Sequence, residues 1–247
     1  MTRERPVLPS WLGRLGRRIC PLEFGAFGPL AIRREAVPLG LGRRLRLLYA
    51  SDLHLGHWWS RDVPAQLSLA CRHTSPDVIL LGGDLADRPG AVDQLRACVR
   101  ELATVAPVAA LAGNHDERAG VTRVRAAVLD AGGHWLPDAP LEEPLGIDAD
   151  VVTAPGPGPR LLCAHSPDVF PAAARAGYRL VLAGHLHGGQ CVLATVEGRL
   201  YPAVWVHRWH GLRFADGDAR MVVSRGVADT FPFRFNCPRE VILCEIS

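Results

Sequence analysis

The spacing of apolar positions along the chain switches between a two-residue and a helical period. Pro29–Pro38 alternates apolar and polar residues and reads as a strand. Leu45–Asp52 is a near-continuous apolar run ending in polar residues, the pattern of a buried strand that feeds a site. Val63–His73 reads as a helix, and Asp77–Leu81 as a second buried strand stopped by Gly82 and Gly83. Within Ala91–Val105, Val92, Leu95, Val99 and Leu102 recur at helical spacing. Pro107–Ala112 follows as a strand, and Thr122–Ala131 as a helix with Gly132 and Gly133 past its end. Pro155–Pro159, with proline and glycine alternating, is a turn or loop. Leu161–Ala164 and Tyr178–Ala183 read as strands on either side of a short helix over Pro167–Ala176.

The last third reads differently, as strands separated by glycine and proline turns. These are Gln190–Val196, Gly211–Phe214, Met221–Ser224 and Glu240–Ile246. Alternation followed by a strand-rich end predicts an α/β layered fold in which a mixed sheet packs on a second sheet. Residues 1–28 show no clear period and carry proline and glycine breakers, so they are expected to form an arm. With no internal repeat and no convincing linker, residues 29–247 are expected to form a single domain.

Composition adds little to that outline, but charge does. All 28 basic residues are Arg, which suggests drift toward GC-rich codons and makes Arg content a weak signal for nucleic acid. Residues 1–46 hold ten Arg against three Glu, a net of +7 within a chain of net +3. A basic leader containing Trp11, Leu12 and Leu15 suits an anionic membrane surface; a solvated terminus is the plainer reading. The seven cysteines are odd in number and lack a CxxC pair, so they read as reduced core thiols in a cytoplasmic protein. No apolar run reaches the length of a membrane span.

Five polar clusters stand directly after predicted strands. They are Asp52-Leu53-His54, Gly82-Gly83-Asp84, Gly113-Asn114-His115-Asp116, Ala164-His165-Ser166 and Gly184-His185-Leu186-His187. Side chains at strand ends leave the core while staying rigidly placed. On an extended backbone, residues two apart share a face, so Asp52 with His54, and His185 with His187, can reach one cation each. The glycines before Asp84 allow a tight bend, its two carboxylate oxygens can bridge two cations, and Asn114 offers a neutral carbonyl oxygen. Mixed oxygen and imidazole donors favour manganese, iron, zinc or cobalt over calcium or a thiolate-bound metal. One of only two Asn in the chain falls inside the Gly-Asn-His-Asp cluster.

The order and spacing of these clusters, from Asp52 to His187, resemble the calcineurin-like metallophosphoesterase family. The flanking Ser51-Asp52-Leu53-His54-Leu55-Gly56, His165-Ser166-Pro167-Asp168 and Gly188-Gly189-Gln190 resemble its bacterial subgroup, which includes UDP-2,3-diacylglucosamine hydrolases. Pro232-x-Arg234-x-Asn236-x-Pro238 resembles the same subgroup more loosely. The resemblance implies a layered α/β/β/α sandwich, two mixed sheets flanked by helices. It also implies two divalent metal ions, manganese first, with iron, zinc, magnesium or cobalt as alternatives. The first would be held by Asp52, His54, Asp84 and His187, the second by Asp84, Asn114, His165 and His185. A bridging hydroxide would attack phosphorus while His115, oriented by Asp116, protonates the leaving oxygen. Leu186 departs from the pattern, since many relatives carry Thr there; the expected effect is on packing.

Two residues outside the clusters are candidate substrate contacts. Trp58 would line a lip for a base, an acyl chain or a membrane, or else pack in a surface loop. Arg234 would hold a phosphate bidentately or, the favoured reading, form a structural salt bridge. The function expected is hydrolysis of a phosphoester or pyrophosphate, on a small-molecule or a lipid-linked substrate at the inner membrane face. A non-catalytic scaffold is the rival from another class, opposed by the filled ligand set. A nuclease of the same superfamily is a third and lesser reading: the added DNA-binding region that such chains usually carry is not seen, while the basic leader keeps the reading open.

Overall fold

In the computed structural model of the protein, residues 22–149 and 155–247 are described, together with the backbone of Arg5–Pro6. Among the described residues, sixteen strands are assigned in chain order. The first seven are β1 (Arg5–Pro6), β2 (Leu22–Phe24), β3 (Ala31–Val37), β4 (Leu45–Ala50), β5 (Val78–Gly82), β6 (Val108–Leu111) and β7 (His134–Trp135). Then come β8 (Gly146–Ala149), β9 (Arg160–Cys163), β10 (Leu180–Ala183), β11 (Ala194–Val196) and β12 (Arg199–Tyr201). The last are β13 (Arg213–Asp216), β14 (Ala219–Val223), β15 (Phe233–Phe235) and β16 (Glu240–Ile246). The helices are α1 (Val63–Thr74), α2 (Val92–Ala103), α3 (Asp116–Ala119), α4 (Val121–Asp130) and α5 (Phe170–Ala176).

Two sheets carry the fold. One has the order β1-β3-β16-β4-β5-β6-β7 and the other β13-β14-β10-β9-β8. Both are mixed: β4, β5 and β6 run parallel while β16 is antiparallel to β4, and β8, β9, β10 and β14 run parallel while β13 is antiparallel to β14.

The two-residue period sorts the apolar side chains into layers. Leu48, Ala50, Ile79, Leu81 and Leu243 face α1, α2 and α4. Their neighbours Leu47, Tyr49, Val78, Leu80 and Ile242 face the second sheet and meet Leu161, Cys163, Leu180 and Leu182. From the far side of that sheet, Leu162, Val181 and Ala183 meet Phe170 and Ala173 of α5. The layers are therefore helix, sheet, sheet and helix, as the sequence reading expected. Because strands buried on both faces cannot alternate with polar residues, β4 and β5 read as continuous apolar runs.

The arm boundary expected at residue 28 needs correction. Residues 22–24 pair with 233–235, Ala26 lies in the core, and Glu23 forms an ion pair with the buried Arg239. These residues belong to the folded body. Apart from Arg5–Pro6, the arm expectation for residues 1–21 falls outside the described residues. Among described cysteines, Cys71, Cys98, Cys163, Cys237 and Cys244 are buried. No helix among the described residues is long and apolar enough to cross a membrane.

Candidate metal centre

Each polar cluster leaves the carboxyl end of a parallel strand, and the two sheets contribute to one place. Asp52 and His54 follow β4, Asp84 follows β5, and Asn114 and His115 follow β6. His165 follows β9, and His185 and His187 follow β10. Oδ1 of Asp52 accepts the backbone N–H of His185 at 3.0 Å, which ties one sheet's loops to the other's.

The backbone there differs from the sequence expectation. The Asp52–His54 and His185–His187 pairs were expected on extended chain. Instead Asp52, His54, Asp84, His185 and His187 all lie in the left-handed region, with φ of 59°, 44°, 52°, 73° and 50°. Such a conformation is costly for a residue with a Cβ and persists where the surroundings over-determine it. Here the loops are laced together: Asp52 N–H donates to Gly83 O and His54 N–H to Asp84 O, both at 2.9 Å, and Ala228 N–H to Asp52 O at 2.8 Å. Gly113 completes the packing, because a Cβ there would collide with the carboxylate of Asp84.

The ligand atoms converge. Single donor atoms of Asp52, His54 and His187 lie within 4.8 Å of one another, as do those of Asp84, His165 and His185, and those of His54, Asp84 and His115. Asn114 joins through Oδ1, 3.1 Å from Nε2 of His165. Asp52, His54 and Asp84 are buried.

The hydrogen bonds set which imidazole nitrogens face a backbone or carboxylate acceptor. Nδ1 of His54 lies 2.8 Å from Oδ1 of Asp87. Nδ1 of His187 lies 3.0 Å from Ala228 O and 3.1 Å from Asp229. Both Nδ1 atoms thus face acceptors and carry the proton, which leaves two Nε2 lone pairs facing each other at 3.2 Å. Likewise, Nδ1 of His165 donates to Gly82 O at 2.9 Å, while its Nε2 faces Asn114 Oδ1, Asp84 Oδ2 at 3.3 Å and Nδ1 of His185 at 3.2 Å. Imidazole nitrogens and side-chain oxygens gathered so closely call for positive charge between them, as a bound cation or as protons on His54 and His165.

The acid–base balance shows the same demand for positive charge. Burial disfavours a charged His165, yet the Asp84 and Asp52 carboxylates outweigh it and raise the ring to about 9. Burial is outweighed in the same way at His54, which Asp87, Asp52 and Asp84 raise above its ordinary value. Against burial, His165 and His54 hold Asp84 well below the usual carboxylate range.

The orienting role expected for Asp116 is corrected, and of the two readings of Arg234 the favoured salt bridge is the one the geometry fits. Asp116 does not orient His115. Its buried carboxylate accepts backbone N–H groups from Leu85, Ala86 and Gly113 at 2.8–3.1 Å, fixing the loops that carry Asp84 and Asn114. Burial pushes it up to about 6, with those N–H groups opposing. The partners of His115 Nδ1 are Asp87 at 3.3 Å and Arg118 at 3.2 Å. Arg234 cannot hold a phosphate. It is buried, donates to both oxygens of Asp229 at 2.7 and 2.8 Å, and reaches the carbonyls of Arg225 and Ala228. Its function is to hold Asp229 and Ala228, the acceptors that set His187. Trp58 is exposed beside Phe24 and Phe27.

Asp87 and Asp229 were not singled out from sequence. Asp87 had a usable signal, standing three residues after Asp84 in an Asp-x-x-Asp pair. Asp229, five residues before Arg234, had none, because it reaches His187 across 42 residues of chain.

A two-sheet α/β sandwich that gathers imidazoles, carboxylates and an amide oxygen at its strand ends defines a metal-dependent hydrolase. Residues 45–189 match the calcineurin-like phosphoesterase family, and the chain belongs to that family. It is a phosphate-ester hydrolase, of a family that depends on two metal ions. The chain is 30% identical to Phosphodiesterase YaeI of Escherichia coli over 231 residues, covering 81% of this chain and 82% of YaeI. It is 26% identical to the uncharacterized metallophosphoesterase YkuE of Bacillus subtilis, covering 85% and 81%. Among solved structures, TT1561 of Thermus thermophilus overlaps 75% of this chain and 91% of its own, with a TM-score of 0.49 at 12% identity.

Proposed function

We propose that the chain hydrolyses a phosphodiester. In this reading Asp52, His54, Asp84 and His187 hold one divalent cation, and Asp84, Asn114, His165 and His185 hold a second. The observation that carries it is the pair of opposed Nε2 lone pairs of His54 and His187, 3.2 Å apart with both Nδ1 atoms committed elsewhere. Manganese is the expected occupant, with iron, zinc, magnesium and cobalt as alternatives. When bound, such a pair supplies Lewis acidity, which lowers the pKa of water and neutralises charge on phosphate oxygens.

His115 is the proton donor. If its Nδ1 accepts from Arg118, Nε2 carries the hydrogen; if the ring is charged, Nδ1–H donates to Asp87 and Nε2 again carries one. Either way Nε2 presents a proton to a leaving oxygen. Burial first, then His54 and Arg118, outweigh the carboxylates and lower the His115 pKa, so the charged ring gives up its proton readily.

The diester preference is supported by the printed name of the E. coli relative. A lipid-linked pyrophosphate of the UDP-2,3-diacylglucosamine kind is the narrower alternative, favoured by the exposed Trp58 with Phe24 and Phe27 beside the site. The two separate in a substrate panel. A chromogenic diester cleaved faster than a nucleotide–lipid pyrophosphate supports the first; the reverse order supports the second.

A further inference from the structure

Two groups of apolar side chains project into solvent from the loops that support the ligand His187. The first consists of Phe24, Phe27, Trp58 and Phe231. Trp58 is 60% and Phe231 66% exposed, and the ring of Trp58 lies 6.1 Å from that of Phe24 and 5.9 Å from that of Phe27. The second consists of Trp205 and Val206, which are 79% and 88% exposed. Both border the same turn, His187–Gly189. Next to it, the Gln190 amide donates to Phe231 O and Phe233 O at 2.7 and 3.1 Å, and Gly189 packs on Ala203 in the turn that carries Trp205.

Phe24 and Trp58 stand on anchored backbone. Phe24 lies on a strand paired with Phe233–Phe235, and Trp58 stands beside Trp59, whose indole N–H donates to Asp229 O at 3.0 Å. Through Gln190 and Gly189, both projections adjoin the turn that carries His187.

Arginines accompany both. The Arg61 guanidinium lies over the Phe27 ring at 5.6 Å, and Arg208 lies over Trp209 at 4.5 Å. The chain enters the first projection at Leu22, directly after residues 1–21, which hold five Arg and one Glu, a net of +4. Separate aromatic and aliphatic tips, interleaved with arginine and fed by a basic segment, fit the headgroup region of an anionic bilayer. A protein partner would call for a flatter, continuous apolar core instead.

We infer that the Phe24–Trp58–Phe231 and Trp205–Val206 projections seat this protein on an anionic lipid bilayer, with the metal centre opening toward the lipid. Contact is at the surface, since no described helix can cross.

The full chain is mixed with vesicles of phosphatidylglycerol and phosphatidylcholine, or of phosphatidylcholine alone, and the bound fraction is read by sedimentation. Wild type is expected to bind the anionic vesicles, with a blue shift of Trp emission, and to release as salt rises from about 0.1 M to about 0.5 M. The combined Trp205→Ser, Val206→Ser and Phe231→Ser variant is expected to bind at least about tenfold more weakly, with unchanged circular dichroism and unchanged hydrolysis of a small diester. Absence of binding by wild type overturns the inference, as does undiminished binding by the variant. So does a wild-type dimer in sedimentation velocity that the variant abolishes, which would mean a second copy covers this face. Binding is read without turnover, so its failure leaves the hydrolase reading standing.

Discussion

A carboxylate oxygen of Asp87 lies 2.8 Å from Nδ1 of His54, and both residues are buried. The contact turns Nε2 of His54 toward the metal centre as a lone pair. The same carboxylate reaches His57 at 2.6 Å and His115 at 3.3 Å. One side chain thus orients a ligand and the proton donor.

Replacing Asp87 by Asn keeps the shape and removes the charge. Cation affinity is expected to fall about 10–100-fold, the usual cost of losing such a support, and kcat to fall with it. Calorimetric titration of metal-stripped protein measures the first. Unchanged affinity would show that His54 is set by packing alone.

Arg234→Lys separates a structural role from a substrate role. A lysine cannot reproduce the fork to both oxygens of Asp229 together with the carbonyls of Arg225 and Ala228. Stability is expected to drop, toward the roughly 3–5 kcal/mol seen when a buried pair is broken, and cation affinity with it. Urea unfolding reads this. A raised KM at full stability would mean that Arg234 meets substrate after all.

Glu240 predicts how the fold responds to acid. It sits in the core between Arg33, at 3.1 Å, and Arg225, at 2.6 Å. Burial alone would raise its pKa, but the two guanidinium groups outweigh it and hold the carboxyl below its ordinary 4.5. A depressed carboxyl contributes stability above its unfolded value and loses it as pH falls through the folded one. Glu240→Gln is therefore expected to be less stable than wild type at pH 7, with the gap in Tm closing below about 4.5. A gap that does not change with pH would contradict the assignment.

Burial pushes the thiols of Cys71, Cys98 and Cys244 up to about 12. Near neutral pH they are expected to resist a disulfide reagent until the protein unfolds, while the partly exposed Cys191 reacts first. Rapid labelling of Cys71, Cys98 or Cys244 in native protein would show that their layers open.

Sequence patterns revealed the central strands of both sheets, because β4, β5, β9 and β10 are short apolar runs that end in glycine or polar clusters; the edge strands β1, β7 and β8 were missed. The patterns pointed to the polar clusters that the fold brings together, because each cluster follows such a run. They did not reveal the supports. Asp116 follows His115 in sequence, yet its carboxylate turns away to bind three backbone N–H groups, whereas Asp87 arrives from another loop. The positive φ at Asp52 and His54 is imposed by bonds to Gly83 and Asp84, which no local pattern encodes. The β2–β15 pair was hidden for the same reason: three residues with no period of their own fold onto a strand some 210 residues away.

The proposed function rests on a two-cation hydrolytic centre formed by these side chains. It is tested most directly by stripping the protein of metal and adding manganese, zinc, magnesium or iron back separately. Hydrolysis of a chromogenic diester is followed for wild type beside Asp84→Asn. The expected result is about two cations per wild-type chain and activity that returns with metal, while Asp84→Asn stays inactive. Wild type that binds no metal, or Asp84→Asn that recovers full activity, would contradict it.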